Sequence, residues 1–320
     1  MKEETKAKIE KYFEKYHEYP KPLRKGKYIF VFSMLILCIV NWFVFYVMVN
    51  IDSILMAFKE FVGYGDDYKE IYKWSFNNFE QFWREMTYTG WASKSFKSAL
   101  KNTLFLFFLG NAVAIPMTFF VSYYMYKKMP GTGAFVWICY LPSILSSVVL
   151  VTIFKNMIDA NGLISSISIA MGKGALTDLL LSEKTAKWML LLYICWTGFP
   201  GSYVIVTAAM RRIPEEIIES AKLDGVNPAT EFFYIIFPMI WPTVQIILLQ
   251  KVAGILSADG PVLLLTGGKA DTYTIGYWYY DPVILSHSYE YPSAVGLILT
   301  CVVAPLALTV KALTNKIEQY

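Results

Sequence analysis

Six separate stretches of this chain, roughly 29–49, 103–126, 134–154, 187–209, 239–257 and 293–313, are apolar over the ~20 residues that a helix needs to cross a bilayer. No single feature constrains the fold more. A backbone in lipid must satisfy its own N–H and C=O groups, and an isolated apolar stretch of this length does so only as a helix. The sequence therefore predicts an all-α integral membrane protein with six transmembrane helices over 29–313 and both termini on one side. With 56% apolar and 17% charged residues, 320 residues are too apolar for a soluble domain. None of the six stretches has an interior Asp, Glu, Arg or His, so no ladder of ionisable groups is evident for a pump driven by protons or sodium.

Lys and Arg in the flanks set the orientation. With the N-terminus inside, residues 1–28, 127–133, 210–238 and 310–320 are cytoplasmic and hold more than half of the 29 basic residues. The charged first 28 residues, with no small-residue cleavage site after the first span, make that span a retained anchor. Ile9, Tyr12, Phe13 and Tyr16 recur at helical spacing before Pro20 and Pro22, which predicts a cytoplasmic amphipathic helix within 1–28 lying on the membrane face; a solvated tail is the other reading. Residues 314–320 form a cytoplasmic tail. Cys38, Cys139, Cys195 and Cys301 each fall in a different span with no paired spacing and read as core residues. His17 and His287 lie on opposite sides of the membrane, so no metal site is expected.

The first outside region, 50–102, is rich in aromatics, including Phe76, Phe79, Phe82, Trp83, Tyr88 and Trp91, and is expected to fold over the membrane surface. Lys127, Lys128, Pro130 and Gly131 predict a tight cytoplasmic turn. The apolar run from Leu163 to Met171 is too short to span and fits a surface-lying or re-entrant helix. The last outside loop, from Asp259 to Pro292, carries Tyr273, Tyr277, Trp278, Tyr279 and Tyr280.

Inside the cytoplasmic stretch 210–238 the local signals are dense. Arg211 and Arg212 close the fourth span, and Pro214 followed by Glu215 and Glu216 suits a first helical turn, where negative charge meets the helix dipole. Gly225 can take the left-handed conformation that ends this helix after Asp224, and Asn227 with Pro228 supplies an N-cap and first residue for the next. The prediction is helix, tight turn, helix.

These residues also carry a resemblance. Glu219, Ala221, Gly225, Ile235 and Pro238 fall in register with the signature loop of the inner-membrane permeases of binding-protein-dependent (type I) ABC importers: Glu-Ala-Ala, three residues, Gly, nine residues, Ile, one residue, Leu-Pro. Ser220 and Phe237 depart from it while keeping a small and an apolar side chain. The resemblance implies a type I importer permease fold and a docking helix for an ATPase, with Glu219, Ser220, Ala221, Asp224 and Gly225 as the coupling residues. It also implies the partners: a second homologous permease in a heterodimer, two ATPase subunits that bind the ATP, an extracellular solute-binding lipoprotein, and the bacterial inner membrane. The chain shows no GxxxxGK[ST] motif, so it needs no cofactor of its own; no catalytic constellation for an enzyme is evident, and no nucleic-acid partner is implied. The long first outside loop and Tyr291-Pro292-Ser293-Ala294-Val295-Gly296 look most like the carbohydrate-uptake branch, as in maltose and complex-oligosaccharide permeases. The Thr266-Gly267-Gly268-Lys269 run departs from the Thr-Gly-Gly-Pro often found there.

Sugars are bound by aromatic faces and neutral amides. Tyr193 and Trp196 share a face of the fourth span with Pro200, and Asn111, Gln245 and Gln250 place amides in spans two and five, which makes these five the candidate substrate pathway; packing is the competing role for each. Gln245 and Gln250 are about 140° apart on a helix, so one at most faces the pathway. Lys251 is expected to snorkel at the outer end of span five, and an acidic sugar gains weight if it instead faces the pore. A permease for a non-sugar solute and a secondary carrier are the alternative functions.

Overall fold

Apolar helices that cannot satisfy one another completely within one chain leave their mark in a large exposed apolar surface, and both parts of the molecule show it. The computed structural model describes residues 25–64, 70–87, 95–176, 179–198, 200–256, 260–286 and 288–317. The amphipathic helix expected near the N-terminus, with His17, Tyr88, Trp91 and His287, lies outside these residues. The chain separates into a first unit ending at Leu55 and a second from Met56 onward.

The first unit is helical throughout its described part: α1 (Lys25–Trp42), a π-helical stretch Phe43–Met48, and α2 (Val49–Ala57), whose last two residues, Met56 and Ala57, belong to the second unit. Ile29, Phe32, Leu37, Phe45 and their neighbours are exposed on every side of it. A helix that is apolar all round belongs in lipid or in a core.

The second unit is mostly rather than wholly helical. Lys59–Tyr64 (β1) and Glu70–Trp74 (β2) form an antiparallel hairpin, with Lys59 opposite Trp74, Phe61 opposite Tyr72 and a bulge between Phe61 and Gly63. This corrects the all-α expectation at one place: outside the spans water can satisfy an exposed strand edge, so a two-stranded sheet is allowed there. α3 (Asn77–Thr87) follows, and its Asn78 amide donates to the Ala57 and Lys59 carbonyls at 3.1 and 2.8 Å, fixing the helix beneath the hairpin. α4 (Phe96–Tyr126) is the longest element, 31 residues started by Ser95, whose hydroxyl accepts from the Ser98 N–H.

The expected third span, 134–154, is two helices. α5 (Thr132–Ile144) ends at Leu145 in extended backbone, and Ser146 caps the start of α6 (Ser147–Ile158) through the Val149 N–H. Pro142 and the Ser146 cap win over hydropathy, which averages across such a break. The short run after Gly162 forms α7 (Leu163–Ala170). The fourth span is α8 (Ala186–Gly198) and α9 (Pro200–Met210). After α10 (Glu215–Leu223) come α11 (Pro228–Thr230), a π-helical stretch Glu231–Ile236, and α12 (Phe237–Met239). The chain then bends by 73° into α13 (Trp241–Ala253), between Pro238 and Pro242. α14 (Gly260–Leu265), α15 (Ile275–Ser286) and α16 (Glu290–Ile317) complete it. By length and composition five helices can cross a membrane, or six if the bent pair is one span.

Three apolar clusters hold the second unit together. One gathers Leu190, Val262, Ile275, Trp278 and Val295 around the N-terminal half of α4. Another packs Val206, Met210, Ile236 and Ile240 beside Phe119 and Tyr123 near its far end. The smallest sets Val121 and Met125 against Cys139 and Tyr203.

Candidate functional site

The loop at 210–238 has the local structure that its sequence dictates. α10 begins after Pro214, with Glu215 and Glu216 in its first turn, and ends at Asp224, whose N–H bonds to the Ser220 carbonyl. Gly225 is left-handed at φ +76°, and the Asn227 side chain accepts from the Thr230 N–H at 2.8 Å to cap the next helix, with Pro228 in its first position. α10 has two faces. Ile218 and Ala221 are buried within this chain, whereas Glu219, Ser220, Asp224 and Gly225 are exposed, and Leu223 is 89% exposed. Of the five residues singled out in this loop, Ala221 therefore seats the helix on its own protein, and the other four remain on the outside.

The second half of the loop is bolted to α4. Lys127, just past the end of α4, pairs with the buried Glu231 at 2.5 Å and lies over the rings of Tyr123 and Tyr126. Tyr123 donates to the Pro228 carbonyl and meets Phe232 edge to face, and Phe119 meets Phe237 in the same way. A buried carboxylate needs such a partner, since leaving it unpaired costs several kcal/mol.

At membrane depth α4, α8, α13 and α14 wall a cleft of about 300 Å³. Asn111, Thr197, Gln250, Lys251 and Thr274 bring polar groups into it among apolar neighbours. Asn111 is the middle residue of α4, and its amide nitrogen is engaged on the Phe107 carbonyl at 2.8 Å, leaving the amide oxygen as its other polar end. A second, narrower apolar crevice continues toward the loop at 210–238 along Ala114, Thr118, Ser202 and Val244, and it shares Gly198 and Lys251 with the cleft.

Of the candidate pathway residues, the structure brings Asn111 and Gln250 together and leaves the other three elsewhere. Tyr193 is buried against Phe154, with ring centroids 5.3 Å apart, and Trp196 stacks on the same Phe154 at 6.2 Å. Gln245 is buried away from the cleft, so of the two glutamines one lines it. Lys251, expected to snorkel at the outer end of its helix, instead lines the cleft.

The architecture and the loop belong together in one family. Residues 114–319 match the binding-protein-dependent transport system inner membrane component. The chain belongs to that family. The permease is 26% identical over 228 residues to the lactose transport system permease protein LacF of Rhizobium radiobacter, an alignment covering 68% of this chain and 75% of that protein. It is 23% identical over 228 residues to the arabinooligosaccharides transport system permease protein AraP of Bacillus subtilis, covering 69% and 72%. Its fold matches a chain of the bacterial alginate ABC transporter solved in complex with an alginate pentasaccharide-bound periplasmic protein, with a TM-score of 0.75 at 19% identity over 91% of this chain and 96% of that one. It is thus a multi-pass inner-membrane transport component and not an enzyme.

Sequence reasoning left one constellation of the permease unassigned. The loop from Gly267 to Asp271 turns through four left-handed residues, Gly267, Gly268, Ala270 and Asp271. Asp271 is held by Ser98 and Lys187, each at 2.6 Å, and the Asn102 amide donates to the Asp271 and Tyr273 carbonyls. Burial works to raise the Asp271 carboxyl, but the hydrogen bonds from Lys187 and Ser98, with the Lys187 and Lys101 charges, outweigh it and hold the group below the usual carboxylate range. Beyond this clamp Glu60, Glu85, Asp281 and Glu290 line an outer bowl of about 520 Å³ together with Trp278 and Tyr291. The four carboxylates accept from Asn77, Tyr291, Tyr273 and Ser288 respectively, and none of them lines the cleft.

Proposed function

We propose that the permease forms one half of the translocation unit of an ATP-driven importer for a sugar or oligosaccharide delivered by an extracellular binding protein. It pairs with a second homologous permease, docks a separate ATPase through residues 213–238, and has both termini in the cytoplasm. The observation that carries this reading is the division of α10 into a face seated on its own chain and a face left outside, which carries Glu219, Ser220 and Leu223. An isolated exposed Leu is ordinary; one beside charged residues at the end of a helix stopped by Gly225, in a loop whose second half is tied to α4, fits a groove on a partner. The substrates for which these relatives are named, lactose and arabinooligosaccharides, support the carbohydrate class. The cleft agrees with it chemically, since neutral amides and hydroxyls are what a sugar's hydroxyls bond.

The test replaces Glu219 by Lys and, separately, Gly225 by Val in the assembled importer. Glu219→Lys reverses a charge on the docking face, and a β-branched residue is strained at φ +76°. Transport and substrate-stimulated ATP hydrolysis should fall together, by tenfold or more, while the permease reaches the membrane at its normal level. Wild-type import by both variants would remove the loop from the coupling path.

A further inference from the structure

We propose that the cleft passes an anionic, carboxylate-bearing sugar, with the Lys251 ammonium as its counter-charge; the proposal deepens the importer reading and rests on it. A charge at membrane depth is costly and is kept where it has a partner or a task. The depth of Lys251 follows from its neighbours. It shares the walls of both cavities with Gly198, the thirteenth of the 25 residues of Ala186–Met210, and the cleft wall with Asn111, the middle of α4. Two spans thus place it near mid-membrane rather than at the headgroups.

Its direction is fixed as well. Val244, Ile247, Leu248 and Lys251 recur at helical spacing on α13 and all line the inner crevice, so Lys251 continues the stripe that faces the cavities. It is only half buried, so the ammonium is not sealed into packing. No Asp or Glu lines the cleft or the crevice, and among the described residues Lys251 has no ion-pair partner. The negative groups of the molecule's outer bowl are engaged with their own neighbours, as described above. A cation facing a cavity with no fixed anion is matched by an anion that comes and goes. Asn111, Gln250 and Thr197 around it suit the hydroxyls of a sugar ring, so a uronic acid satisfies both the charge and the neutral groups where an inorganic anion satisfies only the charge.

The test reconstitutes the complete importer, with both permeases, the ATPases and the binding protein, in proteoliposomes. Uptake of labelled uronic-acid oligosaccharides is compared with that of the same oligosaccharides after reduction of their carboxyl groups to alcohols. The wild type should carry the carboxylated form at least tenfold faster. Lys251→Met should lose tenfold or more of that rate, in line with losing a charge-assisted hydrogen bond, and should narrow the gap between the two forms; Lys251→Arg should stay within about threefold of wild type. Removing a buried charge favours membrane insertion, and co-purification of all subunits checks assembly; should Lys251→Met not assemble, Lys251→Gln takes its place, and the wild-type preference decides by itself. Faster uptake of the reduced oligosaccharides, or carboxylate uptake indifferent to Lys251→Met, overturns the proposal and leaves the sugar importer standing. A wild-type importer that carries neither form nor any neutral sugar overturns both.

Discussion

Single backbone positions decide how the two working loops are shaped. Gly225 and Gly268 are both left-handed, but a Cβ on Gly225 would meet nothing within 4 Å, whereas one on Gly268 would lie 2.5 Å from the Tyr273 ring and 2.7 Å from that of Tyr277. Gly268→Ala should therefore lose about 2–5 kcal/mol, the left-handed penalty plus overpacking. Gly267→Ala, at φ +57° in open space, should lose only the first part, about 1–2 kcal/mol. Thermal unfolding of the two purified variants in detergent checks the difference, and equal losses would mean that the rings yield. The left-handed Gly225 and the Asn227 cap were legible in the sequence because a cap is settled within four residues. Which of the five candidate pathway residues line the cleft was not, because the face of a helix that becomes core depends on what the fold sets beside it, here Phe154 from another element against Tyr193 and Trp196.

Elements were legible in proportion to how local their causes are. Hydropathy placed five spans well but set the third at 134–154, averaging over the break at Leu145, whereas the length able to cross is Ser147–Ala170, which takes in the run expected to be too short. It also averaged over the bend at Ile240, and a Ser cap and two prolines decide these places. The hairpin at 59–74 was missed because attention to its aromatics says nothing about strand pairing. The clamp at the N-terminal end of α4 joins Ser98 to Asp271, 173 residues apart, and no spacing rule spans that distance. Its pH dependence follows from sign. The folded carboxyl of Asp271 titrates below its unfolded value, so the stabilisation is full above the ordinary carboxylate pKa of about 4 and is lost as pH falls through the lower folded value. Asp271→Asn should cost about 1 kcal/mol at neutral pH and should flatten the acid limb of a stability profile measured below pH 4. An unchanged acid limb would assign that limb to other carboxylates.

At the scale of the molecule, α4 is the member shared by the clamp, the cleft, the crevice and the anchor of the loop at 210–238. Over a length of about 46 Å it carries the clamp at Ser98 and Asn102, the cleft at Asn111, the crevice at Ala114 and Thr118, and the bolt to the loop at 210–238 at Tyr123 and the adjoining Lys127. Under the proposed function, a partner that shifts the loop shifts a wall of the cleft with it, since a packed helix moves as a body. Nearly all of this was hidden from the sequence, in which α4 is an apolar span with two Asn and one Pro. The half-buried ammonium of Lys251 also bears on the idle transporter. A cell that stores energy as a voltage, worth about 2.3 kcal/mol per elementary charge at 100 mV, loses it through any wet path that admits protons or sodium. A fixed positive charge at the middle of such a path repels both. Proteoliposomes holding the importer with Lys251→Met and no substrate should therefore dissipate an imposed potential faster than the wild type, and equal decay would show that the resting seal lies elsewhere. The residue that admits one sign of charge would then be the one that insulates the membrane against the other.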